Sequence, residues 1–352
     1  MTPAAGDDGA TARFRRADAI LEAALDLPPE ERAPFIARAC RDDATLHATV
    51  ERLLRAHDRA DAHDFLGAPA AALAPPTLVD AAAQASDADG GAAGRIVGRY
   101  RLVRQIGRGG MGTVWLARDE QLERDVALKI VHGAGSRARA EREARAAARL
   151  DHPHVAGIYD VGDTDDGAVW FAMPYCPGGS LAGRLAQGPL PIAEVLRIGR
   201  DVADGLAAAH AQGIVHRDVK PDNVFLDAAG NARLGDFGIA RLADAETTRR
   251  QGILGTLAYL APEQVAGEAV DHRADLWALG VTLHELAAGR RPFDGDNHGA
   301  LLRAILEDDP PPLPTADARG RALAALVRAL LARDAAARPA SAAAVRDTLA
   351  AI

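Results

Sequence analysis

Residues Ile106–Ala117 read IGRGGMGTVWLA, and the course of the chain after Gly112 decides the fold. Gly107, Gly109 and Gly112 form a GxGxxG, a spacing that dinucleotide-binding folds also use. In those folds the last glycine opens a helix. Here Thr113-Val114-Trp115-Leu116-Ala117 follows, β-branched and aromatic with alternation, so a strand leaves the loop and the glycines turn a hairpin. A tight turn needs one glycine. The further glycines, Gly110 among them, imply a backbone that comes close to a ligand.

After a short polar interval Asp125–Val131 reads DVALKIV, a second strand. It carries Lys129, and the chain holds 41 Lys plus Arg of which only Lys129 and Lys220 are lysine. Arg is a planar fork with five donors, while Lys is a compact ammonium on a thin stem. The two lysines therefore suggest slots where a point charge fits and a fork does not, set against chance in an Arg-biased composition. A strand lysine alone is most often a surface charge. The next run, ARAEREARAAARL (138–150), offers Glu141 and Glu143 as carboxylates to fix its ammonium.

Lys220 lies in GIVHRDVKPDNVFL (213–226), and LGDFGIA (234–240) follows. Taken singly, Asp218, Asn223 and Asp236 read as ordinary turn residues. In order with the glycine hairpin, Val126-Ala127-Leu128-Lys129 and Ala261-Pro262-Glu263, they resemble the protein kinase family, from Tyr100 to the C-terminus. Lys220 two residues after Asp218 points to a serine/threonine kinase. The compact catalytic region and the leader LEAALDLPPEERAPFIARAC (21–40) resemble bacterial members.

The resemblance implies an α+β, bilobal fold within residues 96–352, with a β-rich N-lobe over 100–173 and a helical C-lobe over 177–352. ATP would lie between the lobes, with Mg²⁺ on Asp236 and Asn223. Lys129 would contact the phosphates and pair with Glu143, chosen over Glu141 for its distance from His152-Pro153. Asp218 would orient the substrate hydroxyl and accept its proton, and Lys220 would neutralise the transferring group. Val114 and Ala127 would roof the adenine and Phe225 floor it. Met173 would be the gatekeeper, followed by the hinge Pro174-Tyr175-Cys176. Pro174 keeps its carbonyl but lacks an N–H, so a hinge that uses the carbonyl of Pro174 and the amide of Cys176 loses nothing. Arg217 implies a phosphorylated activation loop, with Thr247 and Thr248 as acceptors and self-association for phosphorylation in trans. Thr256 would meet the substrate residue, Asp275 would brace the catalytic loop, and Arg338 would partner Glu263. A scaffold that binds ATP without catalysis and a small-molecule kinase are the alternatives.

The remaining features bound the reading. At 352 residues two domains are the natural expectation. Phe14, Ala17, Leu21 and Leu25 recur at helical spacing, Pro28-Pro29-Glu30-Glu31 starts a second helix, and Leu46, Val50, Leu53 and Leu54 line a third. Residues 1–65 thus read as a small helical unit, and 66–95, rich in Ala, Pro, Gly and Asp, as a linker. A net charge of −8 gives no support to nucleic-acid binding. Two cysteines, Cys40 and Cys176, suit a reducing compartment and small apolar roles. No signal peptide or membrane span is legible, so a cytoplasmic setting is expected. His152-Pro153-His154 could suggest a metal, but no further cluster at ligand spacing accompanies it.

Overall fold

The computed structural model describes residues 93–109, 112–131, 150–165, 167–236, 257–313 and 316–352, together with 29–41 and scattered positions between 20 and 50. Gly110, Glu141, Glu143, Thr247, Thr248, Thr256 and the linker up to residue 92 lie outside the described residues.

Helix α1 (Pro29–Ala39) begins at the predicted Pro-Pro-Glu-Glu start. Proline's fixed φ suits a first helical turn, where its missing N–H has no partner to lose. Ile36 and Cys40 bury with Ile20, Ala24, Leu46 and Val50, so Cys40 acts as a small apolar core residue. In the first run the described buried positions are Ile20 and Ala24, one place from the predicted Leu21 and Leu25, which lie outside the described residues.

An antiparallel sheet follows in the order β1-β2-β3-β4-β6-β5. Its strands are β1 (Ile96–Val97), β2 (Tyr100–Gly109), β3 (Gly112–Asp119), β4 (Arg124–Val131), β5 (Asp160–Asp163) and β6 (Val169–Pro174). The register sets Val114 opposite Lys129, Phe171 opposite Lys129, and Met173 opposite Ala127. Directly opposed residues share a face, and neighbours along a strand alternate. Val114, Ala127, Lys129, Phe171 and Met173 therefore stand on one face. Trp115, Ala117, Leu128, Ile130, Trp170 and Ala172 take the other and bury with Tyr100 and Leu102. Strand β4 is buried on both faces from Val126 to Val131, which is why DVALKIV is nearly continuous in apolar residues. Tyr100 on β2 meets Trp170 on β6 edge to face, 5.3 Å between centroids, although these strands are not neighbours; the sheet curls to bring them together.

The second half is helical. It comprises α2 (Leu181–Leu185), α3 (Ile192–Ala211), a hairpin of β7 (Val224–Leu226) and β8 (Ala232–Leu234), α4 (Pro262–Ala266), α5 (Arg273–Ala288), α6 (His298–Glu307), α7 (Ala318–Leu330) and α8 (Ala342–Ala351). Leu276, Trp277, Leu279, Val281, Leu283 and Leu286 of α5 are all buried, so this helix is enclosed on nearly every side and forms the centre of the core. It stops at Gly289, whose φ of 70° closes the left-handed cap that favours glycine. Asn297, Asp317 and Ser341 cap α6, α7 and α8 through their side chains, each worth about 1 kcal/mol over alanine. This is the two-lobed α+β architecture that the resemblance implies. Among the described residues no helix is long and apolar enough to cross a membrane.

Candidate active site

Gly109 and Gly112 face each other where the β2–β3 ribbon turns. A Cβ on Gly112, which sits at φ 144°, would lie 1.9 Å from the Ile130 carbonyl oxygen, so no other residue fits there. Gly107 differs: among the described residues its added Cβ would meet only Val114, at an ordinary 3.6 Å. Its protein neighbours do not demand a glycine, in keeping with a backbone kept bare for a ligand.

Lys129 projects from β4 on the cleft face, and its Nζ donates to Asp236 Oδ2 at 2.7 Å. Burial alone would push the Asp236 carboxyl up, but the charge and hydrogen bond of Lys129 outweigh it and hold this group below the ordinary carboxylate range. Asp236 is therefore ionised at neutral pH. Its φ of 60° is left-handed, an uncommon conformation for a non-glycine residue.

Asp218, Lys220 and Asn223 converge from within one short segment. Lys220 Nζ donates to both Asp218 carboxylate oxygens at 2.9 Å. Asn223 Nδ2 donates to the Asp218 carbonyl and to its Oδ2, both at 2.8 Å. The Asn223 amide oxygen consequently faces away from Asp218. The backbone beneath is fixed by Asp275 of α5, which is fully buried. Its Oδ1 accepts the Arg217 N–H at 2.7 Å, and its Oδ2 accepts the His216 N–H at 2.8 Å and faces His210 Nε2 of α3 at 2.8 Å. Arg217 is held at φ 67°, a strain of about 1–3 kcal/mol that these bonds sustain.

His216 joins the two motifs. Its Nδ1 accepts the Asp218 N–H at 3.2 Å, so its proton sits on Nε2, which donates to the Gly235 carbonyl at 2.8 Å. The residue before Asp236 is thereby tied to the loop that carries Asp218. Sequence reading finds Asp275 as the brace but assigns no role to His216 or His210, because their partners lie 19 and 65 positions away.

At the other end of the cleft face, Val114 and Ala127 stand with Met173, and β6 ends at Pro174. Phe225 of β7 packs under Gly235, where an added Cβ would lie 2.7 Å from its ring. Burial pushes the Cys176 thiol up, with Arg233 opposing and Asp227 adding to the rise, so Cys176 is held as a thiol rather than a reactive thiolate.

Behind the cleft Arg338 grips Glu263 with two parallel bonds of 2.7 Å, its side chain fully buried. The Tyr259 hydroxyl donates to Glu285 of α5, and burial together with that carboxylate raises Tyr259 well above the ordinary phenol range. Both contacts anchor the segment that follows residue 256 to the helical core.

Asp236 and Asn223 suit a hard cation by donor type: an ionised carboxylate, and an amide oxygen left outward by its own N–H bonds. Among the described residues no group of three or more His, Cys, Asp or Glu is arranged to hold a metal. Two protein oxygens are what Mg²⁺ commonly takes when waters and phosphates complete its shell.

Known proteins are similar to this chain in sequence. A probable serine/threonine-protein kinase, pknA2 of Bifidobacterium longum, is 38% identical over 265 residues, covering 72% of this chain and 35% of that protein. Serine/threonine-protein kinase pkn2 of Myxococcus xanthus is 42% identical over 269 residues, 72% of this chain and 32% of its own. PrkC of Bacillus subtilis is 41% identical over 224 residues, 62% and 34% respectively. The chain spans about a third of the length of these curated relatives. The family model for the protein kinase domain matches residues 100–349, the stretch that runs from β2 to α8 and contains every contact described at the cleft. This chain belongs to the protein kinase family.

Proposed function

We propose that the chain is a serine/threonine protein kinase that moves the γ-phosphoryl group of ATP to a protein hydroxyl. The observation that carries the reading is the convergence in one cleft of the Asp218–Lys220–Asn223 cluster and the Lys129–Asp236 pair. Phosphoryl transfer asks a protein for position and charge more than for covalent chemistry, and this cleft supplies both. Asp218 orients the incoming hydroxyl and accepts its proton as oxygen attacks the γ-phosphorus and the bond to the β-phosphate oxygen breaks. Lys220 sits beside Asp218 and offsets charge on the transferring group. Lys129 holds the α- and β-phosphates under the hairpin of Gly107, Gly109, Gly110 and Gly112. Glu143 would take over its ammonium when Asp236 engages metal. Asp236 and Asn223 would hold Mg²⁺, which supplies charge neutralisation to the phosphates when bound. Val114, Ala127, Met173 and Phe225 enclose the adenine, with the Pro174 carbonyl and the Cys176 amide at its edge.

Several finer points belong to the same proposal. Phosphate on Thr247 or Thr248 pairs with Arg217 and orders the activation segment, through self-phosphorylation between copies. Residues 1–65 form a separate helical unit joined by the 66–95 linker to the kinase domain at 96–352, as the self-contained cluster around Ile36 suggests. A cytoplasmic setting agrees with neither cysteine forming a disulfide.

Incubation with ATP and magnesium followed by phosphopeptide mass spectrometry tests the reading. Phosphate on serine or threonine that vanishes in Asp218→Asn is the expected result. Nucleotide binding without transfer identifies a scaffold, and transfer only to small molecules identifies the other alternative; either overturns the proposal.

A further inference from the structure

A cavity of about 370 Å³ shares none of its lining residues with the cleft of Asp218 and Lys129. It lies between α4, the turn after it, the end of α6 and the loop that joins α7 to α8. Its size falls among ligand pockets, which run from about 300 to about 1,000 Å³.

The backbone fixes its polar side chains. Helix α4 ends in a left-handed cap at Gly267, φ 66°, and the Glu268 N–H then donates to the Glu263 carbonyl at 2.8 Å. Asp271 accepts the Arg273 N–H at 2.7 Å. Asp334 accepts the Ala336 N–H at 2.8 Å and so caps the short 3₁₀ turn Ala335–Ala337. Glu268, Asp271 and Asp334 all line the cavity, and they reach it from two separate parts of the chain.

Charge is not balanced there. Glu263, the fourth lining carboxylate, is fully engaged by buried Arg338. Arg333 is the one lining cation, and it pairs at 3.3 Å with Asp309, itself 94% exposed. Arg273 stands 3.8 Å from Asp271, too far for a hydrogen bond. Glu268 and Asp334 have no cationic partner among the described residues. A carboxylate has about four acceptor sites, so these three groups keep negative charge and acceptor capacity to spare. Ala266, Ala269, Leu306 and Ala335 supply apolar wall beside them.

This combination selects its occupant. Among the described residues no group of three or more His, Cys, Asp or Glu is gathered closely enough to hold a metal, so the carboxylates do not form a cage for a point charge. An arginine side chain fits their spread. Its planar fork donates to more than one carboxylate, and its stem lies along apolar surface.

We infer that this cavity is a docking site for an arginine side chain of the protein substrate, outside the cleft that takes the reacting hydroxyl. That the partner is the substrate rests on the kinase reading: α4 continues directly from the segment after residue 256, which Tyr259 and Glu263 anchor to the helical core. The preference of the cavity for arginine does not depend on it.

The acetylated and amidated peptide GRRG carries two guanidinium groups and no hydroxyl. Added to the full chain without nucleotide, it shifts the ¹H–¹⁵N resonances of Gly267, Ala269 and Leu306, and GQQG does not. Glu268→Lys weakens GRRG about fivefold, and raising salt weakens it in the wild-type protein. Glu268 is exposed, so charge reversal leaves the fold intact; Glu268→Gln, with about a twofold loss, decides the matter otherwise. In turnover assays Glu268→Lys raises KM for an arginine-rich histone mixture about fivefold at unchanged kcat and leaves casein as it is. GRRG binding that ignores Glu268→Lys, or that moves no resonance at the cavity, overturns the site. Binding at the cavity with a histone KM indifferent to Glu268→Lys overturns its use by substrate. Binding in a protein that phosphorylates neither substrate upholds the arginine site while the kinase reading fails.

Discussion

The two lysines of this chain are held in opposite ways. Lys220 meets Asp218 two residues away, inside one loop whose backbone hangs from buried Asp275. Lys129 meets Asp236 across 107 positions, from the N-lobe sheet to the end of β8. The first contact is set by local geometry and survives any movement of one lobe against the other. The second exists only while the lobes are in register, and its carboxylate is the one whose donor chemistry suits a metal. One half of the cleft is thus preorganised, in the sense that its charges are fixed before substrate arrives. Under the proposed function, the other half would have to exchange its Lys129–Asp236 contact as nucleotide enters.

The largest effect comes from breaking the contact between the lobes. Lys129 is 11% exposed at its side chain and stands between Val114 and Phe171, a slot for a point charge. Lys129→Arg keeps the charge but puts a planar fork there. Turnover per nucleotide bound is expected to fall about 10²–10³-fold, with Tm changed by no more than about 2 °C. Rates equal to wild type in a steady-state assay would mean that geometry at Lys129 does not matter and that the contrast between the lysines is empty.

Lys220→Arg sharpens the same contrast. Both Asp218 oxygens already accept from Lys220 at 2.9 Å. A guanidinium engages such a carboxylate more firmly with two parallel bonds, which withdraws Asp218 from the hydroxyl it should orient. The expected loss is about 10–10² in kcat with KM for ATP unchanged, since Lys129 and the hairpin are untouched. An increase in KM as large as the loss in kcat would show that Lys220 also belongs to nucleotide binding.

Asp275→Asn reaches the foundation rather than the site. Asparagine must turn an NH₂ toward one of the donors that Asp275 accepts from, leaving buried N–H groups without acceptors. A loss of about 1–3 kcal/mol in stability follows, read as a lower midpoint in denaturant unfolding. Nucleotide affinity should move less than turnover.

How far these contrasts were legible before the structure follows from distance along the chain. The strand after Gly112 and the strand that carries Lys129 declare themselves through alternation and composition, because each pattern is local. The Asp218, Lys220 and Asn223 cluster lies within six consecutive positions and resembles a known loop, so its members could be named in order. The Lys129–Asp236 contact could not be read, since both residues point to partners that a single sequence offers in excess; Glu141 and Glu143 were nearer and equally acidic. His216 bonding Gly235, and His154 facing Asp201, depend on α3 and β8 lying side by side. No spacing rule encodes that.

Acid should separate the two halves by a smaller margin. Asp236 has a lowered folded value, so its contribution is full above the ordinary 3.8 and is lost only as pH falls through that lowered value. His284 of α5, 1% exposed, acts earlier. Burial pushes its imidazole below the ordinary 6.5, against the carbonyls of Pro311 and Arg290 that its two nitrogens face at 3.1 Å, with the Arg290 charge adding to the fall. The fold therefore favours the neutral ring: its stability is present above 6.5 and is lost as pH drops through the lowered value. Between the histidine and carboxylate ranges the helical half weakens while Asp236, held below the ordinary carboxylate range, keeps its charge opposite Lys129. Tm should decline by about 2 °C from pH 7 to pH 5 and not in His284→Gln, whereas Asp236→Asn shifts Tm equally at both pH values. A decline that follows Asp236 rather than His284 would place the acid-labile element between the lobes and reverse the assignment of which half is fixed.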